Sequence, residues 1–446
     1  MASSMLFKIV VISFLVVATA KKHTPKEPKA PKNAAPPPPD VSTGSSNSSA
    51  SNASSNSAGS SVFDVTKYSA STSASASANS KAFTDAFKAA CAFKGRSTIL
   101  VPSGSYQLGP VLFGGPCIGS HITFEFKGTL VAPQDIKAFS GVAWIEFDAL
   151  HELVVEGGGI IDGQGTATWP MPGKRKPINM RFMKCYNGKI TGITSKDSKF
   201  FHFALHNTQG LIFENIKIIA PWNSKNTDGI HLSMSSNITL NNMNIGTGDD
   251  CISIGQGSKD ITVTGISCGP GHGISVGSLG KVPNEEDVGN IHVKNCTIAH
   301  TTNGLRIKTW PGAPPSKAYN ITFEDITMTN VSYPIIIDQK YCPNGECTSK
   351  NPSLVVLRDI LFCRVKGTSN TPVAVKLDCS EKNPCQNVHL QDINIQALKS
   401  AGAKLSSVCS NVQGGVRGTQ QPDPCLGSTA SQDTKSTASS LNESDL

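Results

Sequence analysis

The sequence predicts an all-β solenoid, a parallel β-helix of about ten coils with an N-terminal capping helix. Three observations predict it. Charged residues are only 16% of the 446-residue chain while glycine reaches 40 and aromatics 6%, a composition of strands and tight turns. A short strand unit recurs in which apolar and polar residues alternate, so that one face of every strand turns inward to a stacked core. Four of these units start at positions 237, 260, 290 and 320, with spacings of 23, 30 and 30 residues, the period of a coil. The uneven period excludes a hexapeptide prism. A leucine-rich repeat lacks its leucine-asparagine spacing here, and a propeller needs a longer period and more tryptophan.

Taken in order, residues 1–20 carry Lys8, the apolar run 9–17 and the small-residue end Ala18-Thr19-Ala20, the pattern of a secretory leader. The run is shorter than the ~20 residues a membrane span needs, so no membrane association is expected. Residues 21–61 read as a disordered linker, with five lysines before Asp40, four consecutive prolines at 36–39 and then eleven serines from Ser42 to Ser61. The folded unit is expected over 62–426, and 427–446 form a polar tail. Sequons at Asn47, Asn52, Asn237, Asn295, Asn320, Asn330 and Asn442 suit a secreted glycoprotein.

At the start of the folded unit one helix is expected. Asn79 or Ser80 can cap it, and Phe83, Phe87, Ala90 and Cys91 share a face at helical spacing. Its role is to cover the open end of the sheet stack. The strand units then follow, beginning at Leu211, Asn237, Asp260, Asn290, Asn320 and Asn387.

Thirteen cysteines place the chain outside the cytosol. Cys91 and Cys117 are natural partners across the capping helix, and Cys251 with Cys268 would staple two neighbouring coils. Cys342 with Cys347, Cys379 with Cys385, and Cys409 with Cys425 are short closures. Cys185, Cys296 and Cys363 remain as buried thiols. The spacings do not repeat in a zinc-finger pattern.

The formal charge of +8 is partly spent on the leader and linker, which leaves a mild positive excess on the folded unit. There is no arginine-rich stripe and no aromatic-basic alternation, so nucleic acid is not the expected partner; an anionic polysaccharide is.

The chemistry lies on consecutive coils. Asn226-Thr227-Asp228 enters one strand, and Gly248-Asp249-Asp250 follows one period later, which sets three carboxylates on adjacent rungs about 5 Å apart. Like charges this close cannot all ionise, so one carboxyl is raised while its neighbours stay charged, the acid-and-base pairing that glycosidic cleavage requires. A calcium site is the competing reading, but the alternating oxygen ligands of a dedicated loop are missing. No metal and no cofactor are expected. One rung further comes Gly271-His272-Gly273, whose glycines are expected to leave space for a ligand beside His272. Arg306 and Lys308, two apart on one strand, share a side opposite Leu305 and Ile307. They either neutralise the acids or bind a substrate carboxylate, Arg306 bidentately and Lys308 as a point charge.

These four motifs, in this order and spacing, resemble the signatures of the polygalacturonase family of glycoside hydrolases, a resemblance that covers the chain from about Val62 to Leu426. The resemblance implies a right-handed β-helix that hydrolyses α-1,4-galacturonan with inversion and no cofactor. It implies Asp249 as general acid, Asp228 and Asp250 as the pair activating water, and His272 as support for the acid. It implies Arg306, Lys308 and Asn226 in substrate binding, and Tyr333 as a further contact. Gly273-Ile274-Ser275-Val276-Gly277-Ser278 and Tyr341-Cys342-Pro343 are similar to the plant pollen exopolygalacturonases, which implies a secreted, monomeric cell-wall enzyme that releases galacturonate from the nonreducing end. Endo action and a non-enzymatic pectin-binding protein stand as alternatives. Cleavage is expected to be fastest at mildly acidic pH, with Asp249 protonated and Asp228 and Asp250 ionised.

Overall fold

The computed structural model describes residues 59–428 apart from 120, 174, 344, 346, 348 and 399–403. The expected leader, nearly all of the linker and the tail beyond 428 lie outside the described residues, as do the sequons at Asn47, Asn52 and Asn442.

Parallel strands pair rung upon rung into a right-handed β-helix. Its front sheet has eleven strands, from Val111–Gly114 at the N-terminal end to Ser406–Ser410 at the other. The back is formed by two rows of strands, such as Ser236–Asn241 followed by Asn244–Gly246. From Val288–Ala299 onward the two rows merge into single long strands: Ser316–Val331, Val355–Ser369, Cys385–Ala397 and Val412–Gln421.

Alternation of inward and outward side chains builds the core. Ile238, Ile261, Ile291, Ile321, Ile360 and Val388 stand level on successive rungs and are buried. On the front sheet Ile230, Ile252, Ile274, Leu305, Ile335 and Val375 do the same. Each such side chain contributes about 1.5–3 kcal/mol on burial, so the stack is held by repetition rather than by any one contact. Near the N-terminal end the filling is aromatic, with Phe113, Phe124, Phe147 and Phe182 in contact at centroid distances of 4.7 to 5.4 Å.

The recurring Asn or Asp that opens a unit has a structural cause. Asp260, Asn290 and Asn320 adopt positive φ, and their side chains hydrogen-bond from rung to rung: Asn290 Nδ2 donates to Asp260 Oδ1 at 2.7 Å and Asn320 Nδ2 to Asn290 Oδ1 at 2.8 Å. These short side chains tolerate the left-handed backbone that the corner needs. A further unit, begun by Asp359, fills the interval between 320 and 387, where no strand unit is expected from the sequence; the preceding loop lengthens its period.

The capping helix runs over Ala76–Ala92 and its N-cap is Ser75, whose side chain accepts from Ala78 N. Asn79 and Ser80 are therefore not the cap. Asn79 is buried inside the helix, where its amide bonds Ser71 and the carbonyl of Gln107, and Ser80 Oγ donates back to Ala76 O. Phe83, Phe87 and Ala90 are buried against the first rungs. The first strand, Ser60–Asp64, takes in two residues of the expected linker. At the opposite end Ser428 bridges back to Val416.

Five disulfides are present: Cys91–Cys117, Cys251–Cys268, Cys342–Cys347, Cys379–Cys385 and Cys409–Cys425. Cys185, Cys296 and Cys363 are free and buried.

Candidate active site

The outward position of the front sheet is occupied on successive rungs by Arg181, Ala204, His231, Ser253, Ser275 and Arg306. Asp228, Asp250 and His272 each precede a member of this row by three residues, at the turn that feeds its strand. The pairing register offsets these rungs by 22 residues, so Asp228 stands level with Asp250 and His272, while Asp249 projects from the turn beside them. A disulfide between Cys251 and Cys268 fixes the turn directly after Asp250.

Local packing shapes the turns. Thr227 Oγ1 accepts from Gly248 N at 3.0 Å and shares a hydrogen bond of 2.7 Å with Ser224 Oγ, which ties the two acidic turns together. A Cβ on Gly248 would fall 2.2 Å from Ser224 O. The glycines around His272 do not make room for a ligand, contrary to expectation. Both are buried, and a Cβ would lie 2.7 Å from Asp249 O at Gly271 and 2.2 Å from Asn303 O at Gly273, so they allow the rungs to approach each other.

Asp250 is the hub. Its Oδ1 accepts from Arg306 at 2.6 Å and from Ser275 Oγ at 3.0 Å, and its Oδ2 from Lys308 Nζ at 2.7 Å. Burial would raise this carboxyl, but Arg306 and then Lys308 outweigh it and hold Asp250 at about 2. Arg306 is raised in turn: burial works against its charge, and Asp250 more than compensates. The ring of Tyr341 lies 5.7 Å from Arg306 and 5.1 Å from Lys308 Nζ. Of the two roles considered for the cations, neutralisation of the acids is thus the one made in the free protein.

Asp228 has a different environment. It is buried and accepts from Ser253 Oγ at 2.8 Å. Burial first, then the charges of Asp249 and Asp250, push its carboxyl well above the usual range, against the relief given by Lys308 and Ser253. The raised carboxyl is therefore Asp228. Asp249 is the most accessible of the three, with a side chain 20% exposed, and its Oδ1 lies 3.1 Å from His272 Nδ1.

Asn226, Asp228, Asp249, Asp250, His272, Arg306 and Lys308 all line one groove of about 930 Å³. Tyr333 is not among its lining residues: it stands at the start of Tyr333–Asp338, level with Asn303. Tyr341 is among them, edge-on to Trp310 at 5.6 Å. Sequence reasoning also missed Trp222, Ser253 and Ser275. The two serines had a signal, since each lies three residues after a candidate site residue at an outward strand position. Trp222 lies off the strands and had none, and Tyr341, also off the strands, was marked only as part of Tyr341-Cys342-Pro343.

Asp249, Asp250 and His272 offer ligand atoms within 4.8 Å of one another. The donor set does not suit a metal, because both oxygens of Asp250 already face fixed cations.

A solenoid that lays acids and cations along one open groove is suited to a charged linear polymer, and the family comparison gives that class its chemistry. The chain belongs to the glycosyl hydrolases of family 28, whose model matches residues 91–421. It is 43% identical over 369 residues to an exopolygalacturonase of Platanus acerifolia, covering 81% of this chain and 97% of that one. To an exopolygalacturonase of Oenothera organensis it is 46% identical over 360 residues, covering 79% and 99%. Among solved structures, an exopolygalacturonase from Thermotoga maritima superposes with a TM-score of 0.68 at 19% identity, over 80% of this chain and 90% of that one, which establishes the fold.

Proposed function

We propose that this chain is an exo-acting, inverting hydrolase of polygalacturonate that releases galacturonate from the nonreducing end. The observation that carries this reading is the meeting of groove-facing Asp249 with buried Asp228 and Asp250, beside Arg306 and Lys308. Binding alone gives no reason to aim three carboxylates at an anionic chain, whereas cleavage needs an acid and a base together.

In the proposed reaction Asp249 donates its proton to the glycosidic oxygen, which leaves with the electron pair of the broken carbon–oxygen bond. A water attacks the anomeric carbon from the opposite face and passes its proton to Asp228. Asp250, held ionised, orients that water. A carboxylate with a raised proton affinity is the stronger base once ionised, which favours Asp228 over Asp250 as the proton acceptor. His272 supports Asp249 and returns its proton from solvent. Arg306 and Lys308 use their remaining N–H groups for the galacturonate carboxylate, and Asn226 lines the same groove. The five disulfides and the plant relatives support secretion into the cell wall.

The test is a product time course on de-esterified polygalacturonate of defined length at mildly acidic pH, followed by chromatography and viscosity. Monomer released from the outset with viscosity nearly unchanged is the expected result. An early collapse of viscosity with mixed oligomers would replace exo by endo action. Binding without product would make the chain a pectin-binding protein.

A further inference from the structure

The side-chain bonds that run from rung to rung along the back of the solenoid divide the four described sequons, Asn237, Asn295, Asn320 and Asn330, into two pairs. Two columns of left-handed corner residues lie there, one at the entry to the first row of strands and one between the two rows. In the first column Gly210, Asn237, Asp260, Asn290 and Asn320 stand level on successive rungs, all with positive φ. Each amide there is donated to the rung before it: Asn290 to Asp260, Asn320 to Asn290 and, further along, Asn387 to Asp359 at 2.8 Å.

Asn237 belongs to this column, but the rung before it holds Gly210, which has no side chain to receive the amide. The second column repeats the situation. Asn242 donates to Asn215 at 2.6 Å, whereas Asn295 stands level with Gly265 on the rung before it. Among the described residues neither Asn237 nor Asn295 makes a side-chain hydrogen bond, and both are exposed. Beside Asn295 the surface opens into a cleft of about 540 Å³ whose lining includes Asp325, Thr327 and Arg364, polar groups suited to sugar hydroxyls. Asn330 is engaged on both sides: its Nδ2 lies 3.0 Å from His300 Nδ1, and its Oδ1 accepts from Asn370 Nδ2 at 2.7 Å. Exposure does not separate the pairs, because Asn320 is exposed as well; the neighbouring rung does.

We propose that Asn237 and Asn295 are N-glycosylated and that Asn320 and Asn330 are left bare, the glycine on the preceding rung deciding which. This rests on the secretion reading above, which brings the chain to a lipid-diphosphate-linked oligosaccharide. In the transfer, asparagine Nδ2 bonds to the anomeric carbon of that donor. The carbon–oxygen bond to the diphosphate breaks, its electron pair leaves with the diphosphate, and one amide proton is released. The first sugar then stands against the nitrogen. At Asn237 and Asn295 it takes the space over the glycine. At Asn320 it meets the side chain of Asn290, and at Asn330 those of His300 and Asn370, so a chain modified there folds against a broken ladder and is depleted from the secreted pool. Both glycans project from the back of the solenoid, away from the groove on the front sheet.

The test is a peptide map of the full chain secreted by a eukaryotic host, treated in heavy-oxygen water with an amidase that converts each glycosylated asparagine to labelled aspartate. Asn237 and Asn295 are expected to be labelled in more than about half of the molecules, Asn320 and Asn330 in fewer than about a tenth. The variant Asn290→Gly puts a glycine before Asn320 in a left-handed corner that glycine adopts freely, and label at Asn320 is expected to rise about fivefold or more. Occupancy set by the sequon alone on the unfolded chain would not respond to it. Secreted protein with Asn237 or Asn295 bare, with Asn320 or Asn330 labelled as strongly as these, or with Asn320 unchanged in Asn290→Gly overturns the proposal. If Asn290→Gly is not secreted, the wild-type map decides alone. A wild-type chain retained in the cells overturns the secretion reading beneath it.

Discussion

Ser253 Oγ donates to Asp228 Oδ2 at 2.8 Å while His231 Nδ1 stands 2.8 Å behind the same hydroxyl. Burial, and then Lys308, holds His231 down at about 4, so the imidazole is neutral above that pH. The only proton of Ser253 points at Asp228, which makes His231 the donor through Nδ1. Two neutral groups thus steady the buried carboxylate without adding a charge to the cluster.

Removal of this bond should appear in the pH profile. Ser253→Ala withdraws a donor that favours ionised Asp228, so its proton affinity rises further. Asp228 must be ionised to accept a proton from water, and the acidic limb of kcat/KM therefore moves to higher pH. The loss at the acid end is expected to be about tenfold, with much less at the upper end of the active range. An acid limb that does not move would remove Asp228 from the role of base.

Stability should respond to Asp228 in the opposite sense to activity. Because its folded-state carboxyl is raised, the native protein holds that proton more tightly than the unfolded chain does. Stability from this group is present at low pH and is lost as pH rises through the raised value. Asp228→Asn is therefore expected to raise the melting temperature at neutral pH by about 2 °C or more while activity falls by a factor on the order of 10³. Calorimetry at neutral and at acidic pH should show the gain only at the former.

The solenoid was legible because its causes repeat. Inward Ile and Val at every second position and an Asn or Asp at the corner recur on most rungs, so the pattern survives unequal periods. It failed at the coil of Asp359, where the loop before it stretches the interval, and at the helix start, where Ser75 caps and Asn79 is drawn inside by Gln107 O. The acids and cations were legible as motifs. The direction of their titration was not, because it depends on burial and on which carboxylate the cations reach: Arg306 and Lys308 both close on Asp250 and hold it down, while buried Asp228 is raised. The place of Tyr341 in the groove was beyond reach for another reason. It comes from the loop after Tyr333–Asp338, and nothing in strand periodicity says where a loop side chain lands.

Chelation should be without effect. A divalent ion among Asp249, Asp250 and His272 would have to displace Arg306 and Lys308 from Asp250, at 2.6 and 2.7 Å, or share its oxygens with them. Dialysis against EDTA is expected to leave both the rate and the melting temperature unchanged. A loss of rate restored by calcium would show that the ion competes successfully with the two cations.

Asp250 should be the most damaging of the three acids to delete. It is 1% exposed and pairs with two cations that are themselves 8% and 5% exposed, so Asp250→Ala leaves two charges buried without an anion. The expected cost is about 3–5 kcal/mol. Asp250→Asn keeps an acceptor for Ser275 and should cost less while still reducing activity. The pH dependence identifies the cause. A carboxyl held at about 2 contributes stability that is complete above its unfolded value and fades as pH falls toward the folded one. The difference in melting temperature between wild type and Asp250→Ala should therefore be constant near neutrality and narrow below about pH 4. A gap that stays the same into strong acid would mean that Asp250 acts by filling space, and that the charges of Arg306 and Lys308 are satisfied by solvent from the groove.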